Sequence, residues 1–146
     1  MEHWLIPCNV RIYDVPAHFA QEKTIVWRNT FSMGKGDAAF IYLGSPYGEI
    51  RYKCKVISDT VDEDTLMKNA YAIPAKVANN YYSKRVKYVK LELEKEYPAN
   101  FLSLNKLREH GLGQVQIQAR IDRRLLKYIE NEELLNEMPE KGDINA

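Results

Sequence analysis

Gly34-Lys35-Gly36-Asp37-Ala38-Ala39-Phe40-Ile41-Tyr42-Leu43-Gly44, then Ser45-Pro46-Tyr47-Gly48, then Glu49-Ile50-Arg51-Tyr52-Lys53-Cys54-Lys55-Val56 reads as a turn, a strand, a second turn and a returning strand. Ala38 through Leu43 is apolar or aromatic at every position, the pattern of a strand covered on both faces. The return strand alternates, with Ile50, Tyr52, Cys54 and Val56 on one face and Arg51, Lys53 and Lys55 on the other. A slip of one residue would bury those cations, so the apolar pattern fixes the register. Each large apolar side chain that leaves water stabilises by about 1.5–3 kcal/mol, enough for this hairpin to organise the segments around it.

Working outward, Trp4-Leu5-Ile6 is a short strand expected to leave its sheet at Pro7, which has no amide to donate. Asp14 before Val15-Pro16-Ala17-His18-Phe19 predicts a short capped helix with Phe19 as its core contact. Thr24-Ile25-Val26-Trp27 is a compact strand that leaves Trp27 between core and loop. After Val56 the chain turns acidic and has no clear period until Tyr81, a connection longer than compact domains ordinarily use. From Ser83 to Glu94, Val86 and Tyr88 share one parity while Val89, Leu91 and Leu93 share the other, which predicts a bulge or bend near Tyr88.

Ser103 to Gly111 has the marks of a two-turn helix, with a serine cap, Leu104 and Leu107 inward and a glycine past the end. Gln114 to Ile121 alternates, with Val115, Ile117, Ala119 and Ile121 expected inside and the glutamines outside. Asp122 caps a last helix whose inward stripe is Leu125, Leu126, Ile129 and Leu134. The expected organisation is one domain over 1–138 and a polar tail over 139–146. Short helices that do not alternate regularly with strands argue for an α+β fold, a small curved mixed β-barrel with short flanking helices.

A chain of 146 residues, 45% apolar and 28% charged, fits one soluble domain with a single core region. Its net charge of +1 creates no global field toward nucleic acid or membrane, so any anion-binding surface has to be local. Cys8 and Cys54 lack a paired spacing and read as buried free thiols of a reducing compartment. Met1-Glu2-His3-Trp4 is no signal peptide, and no apolar run approaches the ~20 residues of a membrane helix. A cytoplasmic location without membrane contact is the expectation.

His3, His18 and His110 stand in unrelated segments without metal spacing and read as surface histidines, so neither metal nor cofactor is expected. Gly34-Lys35-Gly36 precedes a strand where a phosphate loop precedes a helix, and Ser32 and Ser45 have no base partner in sequence. The acidic run Asp59 to Asp64 lacks the spacing of a calcium loop. What remains is a loop set able to line a pocket: Cys8, Asn9, Trp27, Arg28, Asn29, Ser32, Ser45, Pro46 and Tyr47. A planar base stacked there gains about 1–3 kcal/mol, while extruding it from a duplex costs a few kcal/mol. Polar edges read by Asn29 or Ser45, and phosphates met by Lys53, Lys55, Lys84, Arg85 and Lys87, would have to supply the surplus. Trp4, Tyr42 and Tyr52 read as packing residues.

These residues resemble the EVE domain of the PUA-like superfamily. The resemblance is carried by Trp4-Leu5-Ile6, Trp27-Arg28-Asn29, Gly36-Asp37 before Phe40-Ile41-Tyr42, Ile50 and Val56, and later by Val115-Gln116 and Leu125-Leu126-Lys127-Tyr128-Ile129. It implies a curved barrel without enzymatic activity that reads a modified, for instance methylated, base in DNA or RNA. Such EVE-type proteins occur in bacteria and phages, which implies a restriction or defence setting and an effector domain or partner protein. The resemblance places Trp27, Arg28 and Asn29 on one pocket wall and Ser45-Pro46-Tyr47 on the other. Two other readings stay open: a protein-interaction module that has lost the pocket, and a small enzyme built around Lys84, Glu92 or a histidine.

Overall fold

The residues of the central strand are buried without exception, and they feed two cores. Ala39, Ile41 and Leu43 pack with Ile6, Tyr52, Val56 and Leu91, while Ala38, Phe40 and Tyr42 pack with Leu5, Ile50, Leu107, Leu125 and Ile129. The computed structural model describes residues 1–62 and 87–145, with the backbone alone described over 137–145. In chain order the elements are β1 His3–Cys8, α1 Val15–Phe19, β2 Thr24–Arg28, β3 Ala38–Leu43, β4 Glu49–Ser58, β5 Tyr88–Glu96, α2 Leu104–Glu109, β6 Ala119–Arg120 and α3 Arg123–Asn145. The sheet runs β2-β5-β4-β3-β1-β6, with β1 parallel to β3 and the other pairs antiparallel. The architecture is α+β, a mixed sheet flanked by helices.

The hairpin β3–β4 pairs as the alternation predicts, with one correction. Ile41 faces Tyr52, but Tyr42 faces Ile50, which leaves Arg51 as an extra residue on β4. A bulge reverses the parity of everything beyond it. Ile50 therefore joins Tyr42 in the second core, while Tyr52, Cys54 and Val56 stay in the first. Two further irregularities lie between β4 and β5, where Ile57 and Glu94 have no opposite residue. β5 starts at Tyr88, where the bend was expected, and Tyr88 and Val89 are both buried. Val86 lies outside the described residues.

Two expectations at the other edge also change. Pro7 does not end β1, because it pairs opposite Tyr42 and Cys8 opposite Leu43. β6 pairs only with Trp4 and Leu5, so β1 is already an edge strand when it reaches Pro7, the place a strand tolerates proline. Of the alternating stretch Gln114–Ile121, only Ala119–Arg120 enters the sheet. Ile117 is 46% exposed and Gln118 only 6%, the reverse of the expected orientation. Gln118 is buried because its amide is satisfied at both ends: Thr30 N donates to Oε1 at 2.9 Å and Nε2 donates to the Phe31 carbonyl at 2.6 Å. Backbone pairing among the described residues does not close β2 onto β6. A glutamine side chain bridges from the residue before β6 to the segment after β2.

Asp37 anchors the start of β3. Its Oδ1 accepts from Glu2 N at 3.0 Å, and its Oδ2 accepts from the Trp4 indole at 3.0 Å and from Gly34 N at 2.9 Å. The turn before it needs a left-handed residue, and Gly36 supplies it with φ of 97°. In α1, Asp14 caps by accepting from Ala17 N at 3.1 Å. Val15 and His18 are buried beneath it, and the Phe19 ring lies 4.9 Å from Tyr52. α2 buries Leu107, and Ser103 caps through its carbonyl, which accepts from Leu107 N at 3.0 Å, not through its hydroxyl. In α3, Leu125 and Ile129 face the second core and Asp122 caps by accepting from Leu125 N at 2.8 Å. The next residue on that stripe is Glu133, which accepts from Lys95 Nζ at 3.0 Å and from the Tyr97 hydroxyl. Leu134, expected inward, is 58% exposed because Glu133 takes the inward position one residue earlier. α3 continues to Asn145, so 139–145 of the expected tail is helical backbone.

Candidate nucleic-acid interface

Parallel pairing brings the C-terminal ends of β1 and β3 side by side, and the cleft opens where they finish. Its volume is about 590 Å³, within the range of roughly 300–1,000 Å³ usual for small-molecule sites. Pro7, Cys8, Asn9 and Arg11 line it from the β1 end; Tyr42, Gly44 and Ser45 from the β3 end; Val115 and Gln116 close the third side. Gly44 joins the two ends, its amide donating to the Cys8 carbonyl at 3.0 Å. A Cβ at Gly44 would stand 3.4 Å from that same carbonyl oxygen, an ordinary contact distance. The following turn carries Ser45, Pro46 and Tyr47, all exposed, across a cis Ser45–Pro46 bond.

The polar groups are held by local hydrogen bonds. Asn9 Oδ1 accepts from Arg11 N at 3.0 Å, an Asx turn that leaves the Asn9 amide nitrogen as its donor. The Asn9 carbonyl accepts from both Ile12 N and Tyr13 N at 3.0 Å. Cys8 Sγ donates to the Tyr13 carbonyl at 3.4 Å. Burial, followed by the nearby negative charge of Asp14, pushes the Cys8 thiol up to about 12, so it stays protonated at neutral pH. Burial also raises the Tyr42 phenol, against the opposing charge of Arg108, and it too remains a neutral donor.

Behind the cleft Tyr13 is the connecting residue. Its ring is edge-on to Trp27 at 6.3 Å and its hydroxyl lies 2.7 Å from His18 Nδ1. His18 Nε2 lies 2.6 Å from the Thr24 carbonyl, which only accepts, so Nε2 carries a proton and Nδ1 is paired with the Tyr13 hydroxyl. His18, read in the sequence as a surface histidine, is buried and 7% exposed because both ring nitrogens have partners. His3 and His110 are half-buried, the latter stacked on Tyr128 with ring centroids 3.7 Å apart.

Of the expected pocket residues, Cys8, Asn9 and Ser45 stand in this cleft. Trp27 is half-buried on β2, and Arg28 beside it is exposed. Asn29 Nδ2 donates to the Met33 carbonyl at 3.0 Å and its Oδ1 accepts from Met33 N at 2.9 Å. Its amide thus closes the loop that carries the exposed Ser32. Pro46 and Tyr47 lie past Ser45 on the turn, and the Arg51 guanidinium sits 5.4 Å from the Tyr47 ring. Lys53 is half-buried, with Nζ 5.7 Å from the Phe40 ring, while Lys55 and Lys87 are exposed. Lys84 and Arg85 lie outside the described residues. Glu92 is exposed on β5. Sequence reading missed Arg11, Gln116 and the connecting pair Tyr13 and His18. The Asn9-x-Arg11 spacing of an Asx turn was the available signal for Arg11; Gln116 was marked only by the resemblance that Val115-Gln116 carries, and the pair carried none.

The sheet order, the parallel β1–β3 pair and the flanking helices make up a fold that solved structures share. The ASCH protein of Zymomonas mobilis has this fold with a TM-score of 0.63 and 11% identity, over 89% of this chain and 94% of its own. Human THYN1, solved in complex with DNA containing 5-methylcytosine, has a TM-score of 0.61 and 14% identity over 91% of this chain and 98% of its own. A hypothetical protein from Leishmania major is similar at a TM-score of 0.61 and 13% identity, over 93% and 97%. No family model matches the sequence, and no curated protein matches it. Among the described residues no helix is long and apolar enough to cross a membrane.

Proposed function

We propose that the protein is a non-enzymatic DNA-binding module that takes a modified base, extruded from its strand, into the cleft at the ends of β1 and β3. The observation that carries this reading is the cleft itself. It has the volume of a ligand site, neutral donors on its walls at Asn9, Ser45 and Tyr42, and a cation at Arg11. The fold shared with THYN1, solved on methylcytosine DNA, supports the same class of partner. Stacking and extrusion nearly offset each other at a few kcal/mol, so selectivity has to come from hydrogen bonds to the base edge, which Asn9 and Ser45 supply here. Trp27 meets Tyr13 edge-on and does not itself line the cleft. The absence of an activated nucleophile at Cys8 and the engagement of His18 by Tyr13 and Thr24 favour a reader over an enzyme. The restriction or defence setting, with a separate effector, rests on the resemblance of the sequence to bacterial and phage EVE-type proteins.

Fluorescence anisotropy with matched cytosine and 5-methylcytosine oligonucleotides over a salt series tests this. The modified strand binds more tightly. Asn9→Ala and Ser45→Ala each weaken binding of the modified strand by about tenfold, a loss in the range of roughly 1–3 kcal/mol for a specific base contact. Arg11→Ala weakens all oligonucleotides alike and lowers the slope of log K against log salt by about one. Equal weak binding to every oligonucleotide, unmoved by these substitutions and by Trp27→Ala, would overturn the reading.

A further inference from the structure

Large apolar side chains exposed to water include Phe31 at 47% and Ile117 at 46%. Scattered singly, such residues need no explanation. These two are not scattered. Ile117 directly follows Val115 and Gln116 of the cleft wall, and the Phe31 carbonyl is bonded to the side chain of the next residue, Gln118. Gln118 also accepts from Thr30 N, so one buried amide ties the segment after β2 to the segment that runs from the cleft wall into β6. The orientation is the informative point. The chain inverts the ordinary alternation here, burying a glutamine and holding an isoleucine out in water. Hydrogen-bonding the amide at both ends makes that inversion stable.

We propose that Phe31 and Ile117 form an apolar wedge that enters a DNA duplex beside the base taken into the cleft. This rests on the base-binding reading of the cleft. Removing a base from the stack exposes the faces of its neighbours and leaves a gap of one ring's thickness. An apolar side chain inserted there restores contact and resists return of the base. The Gln118 clasp sets the distance between wedge and cleft, which a loop free to move would not.

The test compares Phe31→Ser and Ile117→Ser with the wild-type chain on one 5-methylcytosine sequence, offered as a single strand and as a duplex with 2-aminopurine beside the modified base. A single strand presents its bases already unstacked and needs no wedge. Each variant keeps wild-type affinity for the single strand, loses about tenfold or more on the duplex, from the few kcal/mol that unstacking costs, and gives less 2-aminopurine fluorescence. Ile117→Leu restores duplex binding. The substituted side chains are half exposed, and an unchanged thermal midpoint confirms the fold. Variants that bind the duplex as tightly as wild type would overturn the wedge alone. A wild-type chain indifferent to the modification in both single strand and duplex would overturn the cleft reading, and the wedge with it.

Discussion

Asp37→Ala lowers the stability of the protein by about 2–4 kcal/mol, read as a fall in the urea midpoint at unchanged m-value. The size follows from the number of donors stranded. The Glu2 amide, the Gly34 amide and the Trp4 indole all end on this one carboxylate, which is 9% exposed. Trp4 is 3% exposed, so its indole N–H has no water to turn to. Burial raises the carboxyl, but the bonds from Glu2, Gly34 and Trp4 and the charge of the terminal amine outweigh it and hold Asp37 below the usual carboxylate range. The sign of the pH effect follows. A group depressed in the folded state stabilises fully above its unfolded value of about 3.9 and loses that contribution as pH falls through the lower folded value. The difference in unfolding free energy between wild type and Asp37→Asn therefore shrinks on acidification below about pH 4. A gap that stays constant through that window would refute the role of the charge.

Glu49→Ala costs about 2–4 kcal/mol, because it strips a buried carboxylate from a bulge and a turn at once. Glu49 is 3% exposed. Its Oε2 accepts from Arg51 Nε at 3.1 Å and both oxygens lie 3.3 Å from Asn100 N. Arg51 is the extra residue of the β3–β4 bulge, and Asn100 holds a left-handed backbone with φ of 65°. Without the carboxylate, the guanidinium can turn partly to water, but the Asn100 amide loses its carboxylate partner and the bulge loses its tie. A double-mutant cycle with Arg51→Ala isolates the pair. A coupling above about 0.5 kcal/mol is expected, and strict additivity within that margin would show that the bulge stands without it.

How much of this was legible depended on whether a side chain's fate was decided locally. Ala38 to Leu43 was readable as a doubly covered strand because an apolar residue at every position has few other uses. The helix starts at Asp14 and Asp122 were readable because a cap is a contact between near neighbours in sequence. Cys8 and Cys54 were readable as buried free thiols for the same compositional reason. Ile50 was assigned to the wrong core because the bulge at Arg51 is fixed by Glu49 and by pairing across the sheet, neither of which the alternation records. Of the candidate site, Cys8, Asn9 and Ser45 were found because strand ends and turns mark themselves with proline, glycine and asparagine. Asn29 was expected to face a ligand, and its amide instead closes its own loop on Met33.

By itself the sequence determined the hairpin, the helix starts, the near-zero net charge and the membership of most large side chains in a core, because each follows from periodicity or from contacts a few residues long. Only the tertiary structure decided which strand ends meet to form the cleft, that Gln118 is buried with Ile117 outside it, and that Glu133 takes the place expected of Leu134. A glutamine or glutamate enters a core only when partners distant in the chain satisfy it, as Thr30 and Phe31 satisfy Gln118 and as Lys95 and Tyr97 satisfy Glu133. Local pattern cannot announce such partners.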